Sequence, residues 1–321
     1  MFNVETQIAY SFEELSAFQF GWDFEALQLS TANAESSATL YRTANVGYTR
    51  FLFSTAYEQR IVAQDGFVSF GILEPDNPLC RLHDLTIPND GIAVFPRHEY
   101  IKAVSPAGLC GNGMHFRETF LEGIADQVYR RPLSTLLPAP GMYLSTPRKL
   151  EALRAELLKW QILQTHCPER RLPIISRREE SLALAILDCL VDAEYETKGE
   201  LKKSHHSMIR ALEIIHESEL ENISTKDLCI QVDCSQRTLE TIFLTRFGVT
   251  PKKYIKCLRL AQVHQELKRP RLHDHERIVD LAGAHGFWHM GQFAADYRKI
   301  YGELPRDTLG QRRVSIDSLE L

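Results

Sequence analysis

The sequence predicts an α+β fold with an N-terminal domain of antiparallel β-strands, linking helices and an all-α C-terminal domain. From Ala9 to Met142, short apolar segments alternate at a period of two between Gly, Pro, Asn and Asp residues, which is typical of strands. After Met142, apolar residues recur at three- and four-residue spacing, which indicates helices. Near the C-terminus, one pattern of aromatic, Gly and Pro positions occurs twice.

The β domain is predicted from segments such as residues 49–53, 66–73 and 91–96. Each is a short apolar stretch that ends at turn-forming residues. Such segments at regular spacing favour an antiparallel sandwich or barrel. A pocket inside this domain is the expected ligand site.

Two helices are predicted between the β domain and the repeat. Thr146 and Pro147 form a helix start, and the apolar positions of the first helix are Leu150, Leu153, Leu157, Trp160 and Leu163. The second helix is expected from Glu179 to Glu194. These helices could pack against the β domain, form a dimer face, or do both.

The repeat has an offset of fifty-four residues. Repetition at a fixed offset indicates one supersecondary unit used twice. The matched pairs are Ser235 with His289, Leu239 with Phe293, Phe243 with Tyr297, Phe247 with Tyr301, Gly248 with Gly302, and Pro251 with Pro305.

Each copy is predicted to be a helix-turn-helix. In the first copy Ser224 and Asp227 form a capping-box-like start, Asp233 occupies the turn, and Ser235 caps the second helix. The predicted buried face of that helix is Leu239, Ile242 and Phe243. In the second copy the supporting helix carries Ile278, Leu281 and Ala282, Gly286 makes the turn, and Phe293 and Tyr297 face inward.

A helix that begins at Pro251 is predicted to join the two copies. Its apolar positions are Tyr254, Leu258, Ala261 and Leu267. If it separates the second helices by one turn of DNA, roughly 34 Å, both can enter successive major grooves on one face.

The charge distribution agrees with a nucleic-acid partner for the C-terminal part. The whole chain carries a net charge of -5, from 37 basic and 42 acidic residues. Residues 224–313 contain sixteen basic and ten acidic residues, a net charge of +6, which leaves -11 for the remainder. Such asymmetry is expected of a nucleic-acid-binding segment beside an acidic domain, although a solvated charged face would look similar.

Composition excludes several classes of protein. The chain has 321 residues, 44% hydrophobic and 25% charged, which is typical of a globular protein with about two domains. The strongly apolar run from Leu182 to Leu187 is far shorter than the roughly 20 residues that cross a bilayer, and Met1 to Glu5 does not resemble a signal peptide. We therefore expect a cytoplasmic protein with no membrane partner. The seven cysteines contain no Cys-x-x-Cys pair, so reduced thiols are expected.

Residues 228–309 resemble the AraC/XylS family of transcription regulators. The segments that carry the resemblance are GFWHMGQFAADYR at residues 286–298 and YGELP at residues 301–305. Residues 20–23 and 28–30 also resemble the effector-binding domains of some members, with less specificity. The resemblance implies a cupin-like regulatory domain at 1–142, linking and dimerisation helices at 143–203, a tandem helix-turn-helix domain at 204–313 and a tail at 314–321. It also implies a dimeric activator that binds double-stranded DNA, a small-molecule effector and RNA polymerase.

Candidate DNA contacts follow from the predicted exposed faces. Arg237, Glu240 and Thr241 flank the buried Leu239 and are expected to contact base edges, since Arg can bind guanine, Glu can accept from cytosine, and Thr offers a hydroxyl and a methyl group. Gly291, Ala294 and Ala295 in the second copy have little with which to read bases. The expected backbone contacts are therefore Ser235, Gln236, His289, Gln292 and Arg298.

The effector pocket is harder to predict, and its candidate residues are Phe70, Phe95, Arg97 and His98. A cupin-type metal enzyme fused to a DNA-binding domain is an alternative, but His83, His98 and His115 are widely spaced and contain no His-x-His pair. A further alternative is an N-terminal domain that only dimerises or binds a protein. No nucleotide or dinucleotide motif occurs, so we expect no cofactor and no enzyme activity.

Overall fold

The structure is a computed structural model, and it describes residues 3–9, 22–31, 35–75, 77, 80–82, 85–88, 90–96, 101–162, 172–191, 193–195, 203–217, 223–269 and 278–310. The chain divides into two compact units. Unit 1 comprises Met1–Ala26, Glu35–Ser54 and Gln59–Lys198, and unit 2 comprises Leu27–Ala34, Thr55–Glu58 and Gly199–Leu321.

Thirteen strands are described, and they confirm the predicted antiparallel β domain. In chain order they are β1 (Asn3–Ala9), β2 (Trp22–Gln28), β3 (Ser36–Arg42), β4 (Val46–Phe53), β5 (Tyr57–Ala63), β6 (Phe67–Leu73), β7 (Cys80–Leu82), β8 (Leu85–Ile87), β9 (Gly91–Val94), β10 (Ile101–Ser105), β11 (Leu109–Arg117), β12 (Gly141–Leu144) and β13 (Glu194–Tyr195).

These strands form two sheets. The larger sheet has eight strands in the order β1-β3-β4-β11-β6-β9-β12-β13, and the smaller has five in the order β2-β5-β10-β7-β8. Neighbouring strands of the larger sheet are antiparallel throughout. At its centre, β11 pairs with β4 and with β6, so that Gly113 lies opposite Thr49 on one side and Gly71 on the other. This register brings Thr49, Gly113 and Gly71 side by side on adjacent strands.

Helices cover one face of the larger sheet in unit 1. They are α1 (Glu118–Ile124), which continues as a π-helical turn (Ala125–Tyr129), then α2 (Leu133–Leu136), α3 (Pro147–Ile162) and α4 (Leu172–Val191). Leu153 and Trp160 of α3 and Leu187 of α4 share one buried apolar cluster with Tyr48 and Phe116 of the sheet. The linking helices therefore complete the core of unit 1, which was one of the arrangements predicted.

The predicted bounds of the second linking helix were wrong. It begins at Leu172, seven residues before Glu179, and it ends at Val191, after which Glu194 and Tyr195 form β13. Pro173 in its first turn concealed the start, because Pro reads as a helix breaker although the first turn of a helix accepts it.

Unit 2 is predominantly helical, with α5 (Lys203–Glu217), α6 (Thr225–Val232), α7 (Gln236–Phe247), α8 (Pro251–Lys268), α9 (Ile278–Ala284) and α10 (Met290–Tyr301). A further helical stretch covers residues 305–310. The sequence did not predict α5, which packs against α6 and α7 and buries Met208, Ala211, Leu212 and Ile215. None of the helices in the described part of the chain is long and apolar enough to cross a membrane.

Candidate nucleic-acid interface and barrel pocket

The two helix-turn-helix units end their first helices in the same way. Asp233 after α6 has a φ of 53° and Gly286 after α9 has a φ of 76°, both in the left-handed region. The next amide in each copy bonds a carbonyl five residues back, Cys234 to Cys229 at 3.1 Å and Phe287 to Ala282 at 2.9 Å. This pair of features is a Schellman-type helix end, and its recurrence confirms the duplication.

The second helices also match. Leu239 and Phe243 of α7 are fully buried, as are Phe293 and Tyr297 of α10 to within a few per cent. Each helix ends at a glycine with a left-handed backbone, Gly248 at 68° and Gly302 at 77°. These helices are held by one apolar face, and the opposite face of each is exposed.

The helix starts in the first copy are capped as predicted. Oγ of Ser224 accepts a hydrogen bond from the Asp227 amide at 3.1 Å, and Oγ of Ser235 accepts one from the Thr238 amide at 3.1 Å. The helix that joins the copies starts at Pro251 behind the capping residue Thr250. The second copy differs, because His289 precedes α10 without a side-chain capping bond.

The exposed face of α7 presents Arg237 and Thr241. The hydroxyl of Thr241 donates to the Arg237 carbonyl at 2.8 Å, so it offers a partner its methyl group and an acceptor lone pair. Glu240 is half-buried and accepts a hydrogen bond from Nε2 of Gln236 at 2.9 Å. A cytosine amino group must therefore compete with Gln236 for the Glu240 carboxylate.

The exposed face of α10 has a different chemical character. Gly291 and Ala295 are exposed and carry no polar side-chain atom, whereas Gln292 and Arg298 are exposed and polar. Arg298 lies in the last turn of the helix, next to the exposed Lys299. The face can donate to phosphate oxygens at several points but has few groups that distinguish bases.

Sequence reasoning missed Trp288 and Lys299 as surface groups. Trp288 lies just before α10 and is 78% exposed, the most exposed of the large hydrophobic side chains described. Its hydrophobicity favoured a buried position, whereas its place in the turn, directly before the exposed His289, was the signal for exposure.

A buried polar network fixes α10 against α8. Nδ1 of His264 lies 2.5 Å from the Tyr297 hydroxyl, which in turn lies 2.9 Å from Oγ1 of Thr308. The His264 ring also stacks on Tyr301, with ring centroids 3.9 Å apart and an interplanar angle of 2°. Because His264, Tyr297 and Thr308 are buried and bonded, they hold α10 rigidly on α8.

Unit 1 contains a pocket between its two sheets, with a volume of about 90 Å³. Gly71 and Gly113 form part of its floor, and aromatic rings form much of its wall. The rings belong to Trp22, Phe51, Phe53 and Phe95, and the edge of Trp22 meets Phe95 with centroids 4.4 Å apart. The pocket is thus mainly apolar.

Two buried polar atoms on β4 and β11 have no hydrogen-bond partner within the described residues, namely Oγ1 of Thr49 and Nε2 of His115. Thr49 lines the pocket, and a Cβ built on Gly113 would lie 3.8 Å from Nε2 of His115. Nδ1 of His115 lies 2.9 Å from Oγ of Ser69. Burial lowers the pKa of His115 from 6.5 to about 3, so the ring is neutral at physiological pH.

The helical part of the chain matches known regulators in sequence. Residues 228–311 match the family described as "Helix-turn-helix domain". The chain is 36% identical over 134 residues, 42% of its length, to the XylDLEGF operon transcriptional activator 1 of Pseudomonas putida. It is 37% identical over 112 residues, 35% of its length, to the XylDLEGF operon transcriptional activator 2 of the same organism, and this match covers 71% of that relative. The chain belongs to the AraC/XylS family.

The match with activator 1 covers only 39% of that protein's own length. Among solved structures, the fold is similar to that of the AraC-like transcriptional activator CuxR, with 12% identity, a TM-score of 0.42, and coverage of 82% of this chain and 96% of that one.

For this AraC/XylS family member, the structure places the predicted effector residues differently. Phe95 lines the pocket, whereas Phe70 lies in the apolar cluster on the helix-covered face of the larger sheet. Arg97 and His98 lie outside the described residues. The sequence could not show which face of the sheet Phe70 lies on. Strand β6 is buried on both faces, so the alternation of apolar residues does not distinguish the barrel interior from the helix-covered side.

The described residues contain no group of three or more His, Cys, Asp or Glu side chains that could hold a metal ion. They therefore offer no ligand set for the metal-enzyme alternative. His115 is described and bonds Ser69, while His83 and His98 lie outside the described part of the chain. The segment His273 to Glu276 and the tail at 314–321 also lie outside it.

Proposed function

We propose that this chain is a ligand-responsive regulator that binds double-stranded DNA sequence-specifically and activates transcription. The observation that carries the proposal is the duplicated helix-turn-helix, with the same turn, the same apolar anchoring and an exposed second helix in each copy. In such units the second helix enters the major groove. A DNA-binding regulator explains both the duplication and the positive charge of this part of the chain.

The two helix-turn-helix copies contribute differently to DNA recognition. Arg237, Thr241 and Glu240 give α7 groups that discriminate base edges, and Ser235 and Gln236 at its start approach the phosphates. In α10 the glycine and alanine surface leaves Gln292 and Arg298, with His289 before the helix, to bind the backbone. Sequence is read mainly by the first copy, and the second copy mainly positions the protein.

The pocket of unit 1 binds the small-molecule effector. It is largely apolar and lined by aromatic rings, with a few polar groups, as ligand sites usually are. Of the effector contacts predicted from the sequence, Phe95 lines this pocket. An effector acts by favouring one conformational state, and only to the extent of its difference in affinity between states.

The active form is a cytoplasmic homodimer that contacts RNA polymerase. Support for the dimer comes from α3, where Leu158 and Ile162 are spaced by one helical turn and are 54% and 58% exposed. Ile174 of α4 is a further exposed apolar side chain of unit 1, and exposed apolar side chains are often found at protein interfaces. The regulatory part then comprises residues 1–142 with the linking helices at 143–203, and the DNA-binding part comprises residues 204–313.

The test is selection of duplexes from a random pool by the full chain, followed by binding titrations at several salt concentrations. We expect one enriched motif, tight binding to it, and affinity that falls steeply with salt as phosphate contacts release counterions. Recovery of no motif, with equal affinity for every duplex, would reject the proposed function.

A second measurement distinguishes an N-terminal domain that binds an effector from one that is purely structural. A ligand that binds the folded state alone raises stability by about 2.7 kcal/mol at a hundredfold excess over its dissociation constant. A thermal shift from a metabolite panel that also changes DNA affinity supports the effector. Absence of any such shift supports a domain used only for dimerisation or protein contact.

A further inference from the structure

Two cysteines flank the turn of the first helix-turn-helix. Cys229 lies in the last turn of α6, and Cys234 follows the left-handed Asp233. The amide of Cys234 donates to the carbonyl of Cys229 at 3.1 Å, so the backbones of the two residues are in direct contact. In a helix end of this type, the side chains at these two positions commonly pack against each other. The fold therefore places two thiols side by side at the turn.

The two thiols are bonded to each other and partly open to solvent. Both side chains are half-buried, and the thiol of Cys234 donates a hydrogen bond to the sulfur of Cys229. Their neighbours Ile230 and Ser235 are exposed, so a soluble oxidant can reach the pair. Three other cysteines are buried, namely Cys80, Cys189 and Cys257.

The turn itself does not need the two thiols. At the equivalent positions of the second copy, Ala282 and Phe287 make the same backbone bond at 2.9 Å. Residues without a thiol therefore form the same helix end. The paired cysteines are thus a feature of the first copy, whose second helix carries Arg237 and Thr241 on its exposed face.

We infer that Cys229 and Cys234 form a reversible disulfide that weakens DNA binding by the first helix-turn-helix. The effect on DNA rests on the proposed function, whereas the disulfide does not. Ser235 follows Cys234 directly, and its Oγ accepts from the Thr238 amide at 3.1 Å to cap α7. A disulfide bond is shorter than a contact between two thiols, so closing it pulls Cys234 toward α6. This movement displaces the capped start of α7, where Arg237 lies.

The oxidant in this reaction is a low-molecular-weight disulfide, and each step is a thiol-disulfide exchange. The thiolate of Cys229 attacks one sulfur of the oxidant, forms a mixed disulfide and releases one thiolate. The thiolate of Cys234 then attacks the sulfur of Cys229, and the second thiolate of the oxidant leaves. The protons of the two cysteines pass to the released thiolates, so the oxidant is reduced to two thiols. Transient disulfides of this kind occur in cytosolic redox sensors.

The surroundings of the two thiols set the order of attack. Burial raises the pKa of both, and the hydrogen bond from Cys234 opposes this rise at Cys229. At Cys234 the same bond adds to the rise. Cys229 is therefore the first nucleophile, because only the thiolate reacts. Since thiolate is scarce at neutral pH, the exchange should take on the order of hours.

Peptide mapping of the oxidised full chain tests the disulfide. Reduced wild-type protein is incubated with glutathione disulfide, the remaining thiols are blocked with N-ethylmaleimide, and the protein is digested with trypsin. Both cysteines fall in one tryptic peptide, residues 227–237. We expect this peptide to lose two hydrogen atoms, to carry no label, and to take up two labels once it is reduced. A peptide that keeps both labels, carries glutathione, or is linked to another peptide would overturn the inference.

DNA binding by the same samples tests the effect of the disulfide. Oxidation should weaken binding of the wild type to the selected duplex at least about tenfold, roughly the loss of one base contact, and dithiothreitol should restore it. The double variant Cys229→Ala with Cys234→Ser should keep its affinity after oxidation. The matched control is Cys110→Ser, which removes a half-buried thiol of β11 and should respond like the wild type. Unchanged affinity of the oxidised wild type, or equal weakening of the double variant, would overturn the effect on DNA.

The two measurements also separate this inference from the proposed function. If reduced wild-type protein recognises the selected duplex but the oxidised peptide does not form, the disulfide is wrong and the regulatory function stands. If reduced wild-type protein does not prefer any duplex, the proposed function fails, and the peptide map still decides whether the disulfide forms.

Discussion

Asp233 and Gly286 are equivalent residues in the two helix-turn-helix units, and each adopts the left-handed backbone conformation that ends the supporting helix. The conformation is costly for a residue with a Cβ and is accessible to a short polar side chain or to glycine. The first copy therefore tolerates a strained residue where the second has the unstrained one.

Substitutions at these two positions should differ in their effect on stability. Gly286→Ala introduces a Cβ at φ 76° and should lower the free energy of unfolding by about 1 to 2 kcal/mol. Asp233→Gly relieves the backbone strain but increases the conformational entropy of the unfolded chain. The free energy of unfolding should therefore change by less than about 0.5 kcal/mol or increase. Denaturant unfolding measures both, and an undiminished stability of Gly286→Ala would refute the assigned turn.

Helix capping is the second difference between the copies. Ser235 caps α7, whereas His289 makes no capping bond at α10. Ser235→Ala should cost about 1 kcal/mol because the Thr238 amide loses its acceptor. His289→Ser should stabilise the protein by a similar amount when no DNA is present. Melting curves of the two variants test this pair, and destabilisation by His289→Ser would show that the histidine has a structural role.

The division of recognition between the copies makes a third prediction. Arg237→Ala should flatten the preference for one or two base pairs by about 1 to 3 kcal/mol. Gln292→Ala should weaken binding to all duplexes by a similar factor and leave the preference unchanged. Binding to a panel of singly mutated sites measures both effects. The control for the loss of a positive charge is Arg60→Ala, because Arg60 is exposed in unit 1 and pairs with Glu25 at 3.3 Å. Equal loss of base preference in Arg237→Ala and Gln292→Ala would reject the proposed difference between the two copies.

Burial of His115 predicts an acid-sensitive unit 1. Its folded pKa of about 3 lies below its unfolded value of 6.5, so the unfolded state binds the proton more readily. The stability that this group contributes is therefore present above pH 6.5 and is lost as the pH falls toward 3, at about 1.4 kcal/mol per pH unit. Unfolding of wild type and His115→Gln at a series of pH values measures the difference. Equal pH dependence of the two proteins would show that folding does not lower the pKa of His115.

Local sequence signals predicted the helical part of the molecule well. Ser224, Asp233, Ser235 and Gly286 each have a role fixed by neighbouring residues, because caps and left-handed turns depend on backbone geometry within a few positions. The repeat then supplied a second, independent reading of the same unit. Helix α5 was missed, since its amphipathic face is meaningful only once α6 and α7 are in place.

The pocket depended on contacts that are remote in sequence. Thr49 and Gly113 come together only through the pairing of β4 with β11, which no local pattern specifies. Phe70 and Phe95 are equally aromatic, yet one packs under the helices and the other lines the barrel. His115 was considered only as a metal ligand, because the lack of a bonding partner for Nε2 is a property of the folded state.

Helices α7 and α10, joined by α8, should enter the major groove of one duplex together. Methylation protection of the selected duplex by the wild-type protein measures this. We expect two groups of protected major-groove positions centred about 10 base pairs apart on one face, and Arg237→Ala should remove protection at one group only. A single protected group, or two groups about 5 base pairs apart on opposite faces, would show that the two helices do not enter the groove together.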